Sequence, residues 1–468
     1  MNKPHLKTSV LPPEREGGID FNSFLAAINA AIAAAIVLLF FFRGPNEYIN
    51  TCTICLALVF AAQNHFFLLA ARRHPNPFLT LLIMHALFFY EFRVVTLLLD
   101  PYSLVLERNL FEIADMNRAF LFIILANFSI FAGVTMCSGK GFEPALLPAA
   151  PAGGVRVLLP VLLFSLAVVT KLKPELFGGF KGYVEVLLTY EVLLLLFLVF
   201  MFKYFHVFTG RQKILLFSVV LVFLVSKTLS GSRAALLTLF FCSFCAWSAV
   251  MGRLVLKKKV YLVLAALLPA AVACFILATR IRADNSSLSS MFGRMGFLDM
   301  SAEMMASSSR YRRVINFEHY FKSIVDSGLT PGFNVFNAPK AANAVSLIYR
   351  NQPEISFETL NARYQADTFT VYGEAYALFG FLAGLAGIFV ASFLFQKIYR
   401  LLHDRDPFKL AALRAVFLYI FYFFFLESLG LDWFMVDLIR GVVPFFVLLY
   451  LFSIAARSVP GNTPGGDK

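Results

Sequence analysis

Charge is what this 468-residue sequence has least of for its length. Asp, Glu, Lys and Arg make up 15% of it, where soluble domains carry about 25%. Hydrophobic residues reach 59%, and mean hydropathy is +0.74. Apolar runs of about twenty residues, the length of a membrane crossing, recur along the chain. That pattern excludes a large soluble core. The net charge of +13 does not indicate nucleic acid, because Lys and Arg sit in short clusters between the apolar runs, as topology signals do.

Cysteine is scarce as well, at six residues. Cys52/Cys55 and Cys242/Cys245 have C-x-x-C spacing, but each pair lies inside an apolar run and reads as packing rather than a metal or redox site. The one long hydrophilic stretch, 280–369, has no cysteine, so no disulfide staples it. It holds one histidine, His319; the others (His5, His65, His74, His85, His206, His403) fall on the cytoplasmic side or within apolar runs and read as structural. No ligand cluster with metal-binding spacing is visible, so no metal or other cofactor is expected. Internal repeats are lacking. The apolar run at 21–42 is about twice a usual signal h-region and reads as a retained first span.

Candidate spans fall near 22–42, 48–70, 77–99, 119–137, 157–171, 185–206, 213–229, 234–251, 260–279, 370–395, 410–427 and 437–455. With a cytoplasmic N-terminus, the cytoplasmic loops hold Arg72/Arg73, Lys140/Arg156, Arg211/Lys213, Arg253/Lys257/Lys258/Lys259 and the cluster from Lys397 to Arg414. The opposite short loops hold fewer cations, so about twelve spans with both termini inside satisfies the positive-inside rule. The expected division is a cytoplasmic tail (1–21), nine spans (22–279), a large external loop (280–369), three spans (370–455) and a cytoplasmic tail (456–468). Ninety residues of loop is too long for a passive connector. Periodicity over 310–325 predicts one amphipathic helix there, started at Ser308 or Ser309 and stopped at Gly328, either lying in the interface or belonging to a small external subdomain.

Charges at membrane depth are functional candidates by default. Glu91, Arg93, Glu191, Lys227, Arg233, Glu374, Glu427, Asp437 and Arg440 all map to the outer ends of the spans. A few would serve as interfacial anchors. Mixed acids and bases on this many spans fit a shared outward-facing polar cavity better, with cations for an anionic ligand and a carboxylate for proton transfer. A carrier would hold its site near the midplane.

Two segments narrow the class. Ser230-Gly231-Ser232-Arg233 forms a tight outer turn with an Arg at the mouth of a helix, a pattern suited to phosphate oxygens. Gly373-Glu374-Ala375-Tyr376-Ala377 follows the long loop, and its small residues leave room beside Glu374. In this order, with this topology, they resemble the O-antigen polymerase (Wzy-type) family, the oligosaccharide repeat-unit polymerases. The recognisable residues cover about twenty positions, within a topology that spans most of the chain. Arg312 and Gly328 fit the Arg-x15-Gly loop spacing seen in some members. The related O-antigen ligases carry a loop His shortly before the next span, where this chain has Arg363, Tyr364, Asp367 and Tyr372, a departure that favours the polymerase.

The resemblance implies an all-α, GT-C-like integral membrane glycosyltransferase of the bacterial cytoplasmic (inner) membrane, with short helices in its external loop. It would move a growing glycan from undecaprenyl diphosphate to an incoming lipid-linked repeat unit. It implies an undecaprenyl-diphosphate-linked substrate, the bilayer and a chain-length-determining co-polymerase as partners, with no nucleic acid. Glu374 would be the general base, with Asp367 second. Arg233, Arg310, Arg312, Arg313, Lys227, Arg440, Glu91 and Arg93 would bind substrate. A ligase with a lipid A-core acceptor, a lipid-linked oligosaccharide flippase and a structural partner of an export complex are the alternatives.

Overall fold

Each of the first four apolar runs becomes one helix: α1 (Phe21–Arg43), α2 (Thr51–Arg73), α3 (Pro77–Leu99) and α4 (Ile113–Met136). Their starts are written locally. The Asn50 side chain accepts from Thr53 N while the Thr53 hydroxyl reaches back to Asn50 N, a reciprocal cap for α2. Asn76 caps α3, and Pro77 occupies a first-turn position where no N–H is needed. A single π turn, Leu87–Glu91, interrupts α3. The computed structural model describes residues 18–101, 111–136, 159–166 except 164, 190–257 except 206–207, 230–234 and 253–254, 296–343 except 330–334, 337, 339 and 342, and 370–457 except 405 and 428–429.

Next come α5 (Tyr190–Tyr204), α6 (Gly210–Leu229) and α7 (Ala235–Met251). Residues 193–201 of α5 are buried on every side, so this helix is enclosed by protein. The hydrophilic stretch supplies α8 (Phe297–Ala306), α9 (Ser308–Val314) and α10 (Phe317–Ile324), the last continuing into a π turn, Val325–Leu329. The chain closes with α11 (Thr370–Phe379), α12 (Phe381–Leu401), α13 (Pro407–Leu426) and α14 (Leu431–Arg457). Seven of the described helices are long and apolar enough to cross a membrane: α1, α2, α3, α4, α12, α13 and Leu431–Ile454 of α14. The protein is therefore a helical, multi-pass membrane protein. The expected span at 260–279 lies outside the described residues, as does most of the one at 157–171.

Two expectations are corrected. The span predicted at 370–395 is broken: Gly380 takes φ 79°, a conformation glycine adopts at little steric expense, and α11 stops before it. Glu374 therefore stands on a separate helix ahead of the crossing. The single helix predicted over 310–325 is two, divided at Ile315 and Asn316, whose side chain caps α10 by accepting from His319 N. Neither Ser308 nor Ser309 caps the start of α9; its cap position is Ser307, which makes no side-chain cap bond.

α4 and α12 run in close contact, and Gly133 permits it. A Cβ at that position would sit 2.7 Å from the Phe389 carbonyl oxygen. One end of the bundle is marked by a strand pair, β1 (Gly18–Asp20) antiparallel to β2 (Val255–Lys257), with Ile19 opposite Leu256. There Phe21 meets Phe244 at 5.8 Å between ring centroids, Thr80 Oγ1 meets Asn22 Oδ1 at 3.1 Å and Phe78 meets Tyr399 at 5.0 Å. At the other end, Asn46 donates to Leu97 O and Thr53 donates to Asn117 Oδ1. Helices α8 to α11 gather on this second end.

Candidate functional site at the second end of the bundle

The site begins with two charges of α3, Glu91 closing its π turn and Arg93 just beyond it. Glu91 and Arg93 are fully buried. Glu91 Oε1 accepts from Asn64 Nδ2 at 2.5 Å. Arg93 forks onto Asp299 of α8, Nε to Oδ1 at 2.9 Å and Nη2 to Oδ2 at 2.5 Å, while Nη1 reaches Thr96 Oγ1 at 3.1 Å. Both were expected to line an open cavity. The structure instead encloses them and gives them protein partners, as a charge in a low-dielectric interior requires. Arg93 ties α3 to α8 through Asp299, and Glu91 ties α3 to α2 through Asn64.

Glu374 lies at a junction of three segments. Its Oε1 accepts from the Tyr320 hydroxyl of α10 at 2.6 Å and from Leu431 N, the first residue of α14, at 2.8 Å. The carboxylate thus satisfies a donor at the start of α14, where negative charge is favoured. Next to it a small cavity is lined by Met304, Tyr311, Ile315, Tyr320, Glu374, Ala377 and Leu378. Burial, with the Glu374 carboxylate beside it and Asp432 behind, pushes the Tyr320 hydroxyl well above its ordinary pKa. Tyr320 therefore stays a donor at working pH.

The arginines of the loop do not converge on one point. Arg312 Nε donates to the Ala377 carbonyl at 2.6 Å, tying α9 to the last turn of α11, a place where a cation is favoured. Arg310 is half-buried and Arg313 exposed. Arg440 of α14 donates through Nη2 to the Ser327 carbonyl. Gly328 faces α14, where a Cβ would meet Val436 and Ile439 at ordinary contact distances of 3.4 and 3.5 Å. Arg233 and Asp367 lie outside the described residues, as does the side chain of Lys227, whose backbone belongs to α6.

Several participants escaped the sequence. Asp432 accepts from Ser323 Oγ at 2.6 Å and from Ala341 N at 2.8 Å. Asp326 accepts from Phe336 N and Ala338 N, both at 2.9 Å. The Lys340 ammonium sits 3.8 Å from the centroid of the Trp433 ring, and burial lowers its pKa. Asp432 and Trp433 open α14 next to Asp437 and Arg440, so the density of polar residues at that helix start is the one signal that was available. Among the described residues the expected shared cavity resolves into separate clusters: Arg93 with Asp299, Glu91 with Asn64, Glu374 with Tyr320, and the Asp432 group. No three His, Cys, Asp or Glu side chains among them gather as a metal-binding group.

Comparison with protein families, with curated proteins and with solved structures returns no match. The class the site defines has to be argued from its chemistry.

Proposed function

We propose that this protein is a membrane glycosyltransferase that polymerises lipid-linked oligosaccharide repeat units. The observation that carries the reading is the Glu374 carboxylate held by Tyr320 where the hydrophilic segment folds back onto the spans, with Arg312 bound to the next turn of the same helix at the Ala377 carbonyl. This junction offers a carboxylate and a cation at a membrane edge, the two requirements for joining sugars carried on lipid diphosphates. Glu374 takes the proton from the acceptor hydroxyl of the incoming repeat unit. The acceptor oxygen bonds to the anomeric carbon of the growing glycan as that carbon's bond to phosphate breaks. Undecaprenyl diphosphate leaves with the electron pair, its charge met by Arg233, Lys227, Arg440 and the arginines of α9. Asp367 is the second candidate for the base. Arg93 acts through the seating of α8, and Glu91 through its bond to Asn64 of α2.

The finer architecture belongs to the same proposal: about twelve spans in a GT-C-like arrangement, in the bacterial inner membrane, with both termini cytoplasmic. Two observations support that orientation. The strand pair needs residues 18–20 and 255–257 on one side, as the topology requires. Arg72, Arg73, Lys257 and Arg400 fall towards that end of the bundle.

The test is turnover by purified, folded Glu374→Gln protein on lipid-linked repeat units, with substrate binding measured in parallel. Binding should persist while polymer formation falls by about 10²–10⁴-fold, the usual contribution of a positioned base. Near-normal turnover would move the role to Asp367. Arg233→Ala should abolish polymer at unchanged protein level, and Arg233→Lys should restore only part of it, because Lys lacks the bidentate fork.

A further inference from the structure

Helix α10 is inside out. Its buried side is polar, with Tyr320 on Glu374, Ser323 on Asp432 and, in the following π turn, Asp326 on two backbone N–H groups. Its outward side carries Phe317 and Phe321, 62% and 64% exposed. A short helix bathed in water would show the reverse polarity. These rings do not stand alone. Phe317 lies 5.8 Å from Phe379 at the end of α11, and Leu382, 80% exposed, begins the lipid-facing side of α12 directly beyond. Lys322, ion-paired at 2.6 Å with Glu318 one turn earlier, stands on the same helix as the rings, and Arg313 is exposed at the end of α9.

We infer that the Phe317 and Phe321 face of α10 is seated in the membrane, with the rings in the hydrocarbon margin of the leaflet and Arg313 and Lys322 among the lipid phosphates. The occupant of this face is the bilayer, because through Phe379 the face runs on into the surface of α12 that only lipid covers in a spanning helix. This inference stands on burial and continuity and does not depend on the glycosyltransferase reading. It fixes Tyr320 and Glu374 at membrane depth, with lipid on one side of α10 and protein on the other. A lipid-linked molecule can then approach Glu374 sideways from the leaflet, past α10.

The experiment uses the full chain in nanodiscs made with lipids brominated on the acyl chains. Phe317→Trp, Phe321→Trp and, as the water-facing control on the same helix, Glu318→Trp are each compared with wild type, whose own Trp247 and Trp433 set the baseline. The added emission at 317 and 321 should be largely lost to bromines placed high on the acyl chain and little affected by aqueous iodide; at 318 the pattern should reverse. Iodide quenching at 317 and 321 would overturn the inference. So would insensitivity to both quenchers, which would mean that a protein surface or a second copy covers the face. A second measurement needs no variant: wild-type protein is photolabelled with a lipid carrying an acyl-chain diazirine and mapped by mass spectrometry. Label is expected at Phe317 and Phe321; label at Leu382 and Val443 with none on α10 would sink the idea.

Discussion

Helices α8 and α10 come from the same hydrophilic stretch, separated only by α9 and its two short joins, and meet opposite fates. α8 contains Asp299 and Glu303, yet every residue from Phe297 to Met305 is buried. α10 carries two phenylalanines and leaves both exposed. Hydropathy does not order these two outcomes. Partners do. Asp299 has a bidentate arginine waiting in α3, so an acid can be sunk into the bundle. Tyr320 and Ser323 have carboxylates waiting on α11 and α14, so the polar side of α10 turns in and its rings turn to lipid. In a membrane protein the apolar face is not the face that must be hidden.

The largest effect should come from breaking the α8 side. Asp299→Ala leaves the Arg93 guanidinium buried without its carboxylate, and removing one partner of such a pair typically destabilises by about 3–5 kcal/mol. Little folded protein should survive detergent extraction, as size-exclusion chromatography would show. The pair Arg93→Met with Asp299→Leu should recover much of the yield. If Asp299→Ala alone melts like wild type, partners do not explain why α8 is buried.

Next in size is the latch on α10. Tyr320→Phe removes a hydrogen bond to a carboxylate, worth about 1.5–3 kcal/mol, and should raise the rate of proteolysis within 308–329 without lowering the yield of folded protein. pH sharpens this test. The Tyr320 pKa is raised in the folded protein, while in the released segment it returns to about 10. The folded form therefore holds the proton more tightly, and the latch is unaffected well below that value. It weakens as pH rises past it, because only the released segment ionises readily. Wild-type protection should decline more steeply than that of Tyr320→Phe between roughly pH 9 and 11. Parallel curves would show that the hydroxyl does not hold α10 in place.

The smallest effect is expected on the outward face. Phe321→Ser removes an exposed ring and should shift the melting temperature in detergent by no more than about 0.5 kcal/mol would allow. A large loss there would mean that Phe321 is packed against protein, and the contrast between the two helices would collapse.

How much of this was legible in the sequence follows from the reach of each interaction. The first four spans and the last two were readable, because a long apolar run and its caps are local. The break at Gly380 was hidden by uninterrupted hydropathy on either side, although glycine between Phe379 and Phe381 is the one local mark it leaves. The division at Asn316 was missed because the apolar positions of 310–325 fit one continuous helical period, which the Asn316 cap interrupts without disturbing the pattern. Arg93 and Glu374 were recognised as charges that needed explaining. Their partners were not, since Asp299 stands 206 positions from Arg93 and Tyr320 stands 54 from Glu374. Pattern along a chain gives no information about which distant acid a buried arginine will find.

The close seam between α4 and α12 has a consequence for the order in which the molecule is made. Gly133 leaves the ribosome more than 250 residues before the Phe389 backbone that fills the space beside it, and Asn127 precedes its Tyr372 partner by 245. Synthesis runs from the N-terminus, so through most of translation the first four helices stand in the bilayer with a notch in α4, a bare amide and the Arg93 guanidinium all unmet. The nascent protein must keep that surface from other small-residue helices until its own second half arrives. A chain terminated before residue 297 would lack both the carboxylate that meets Arg93 and the helix that fills the notch in α4.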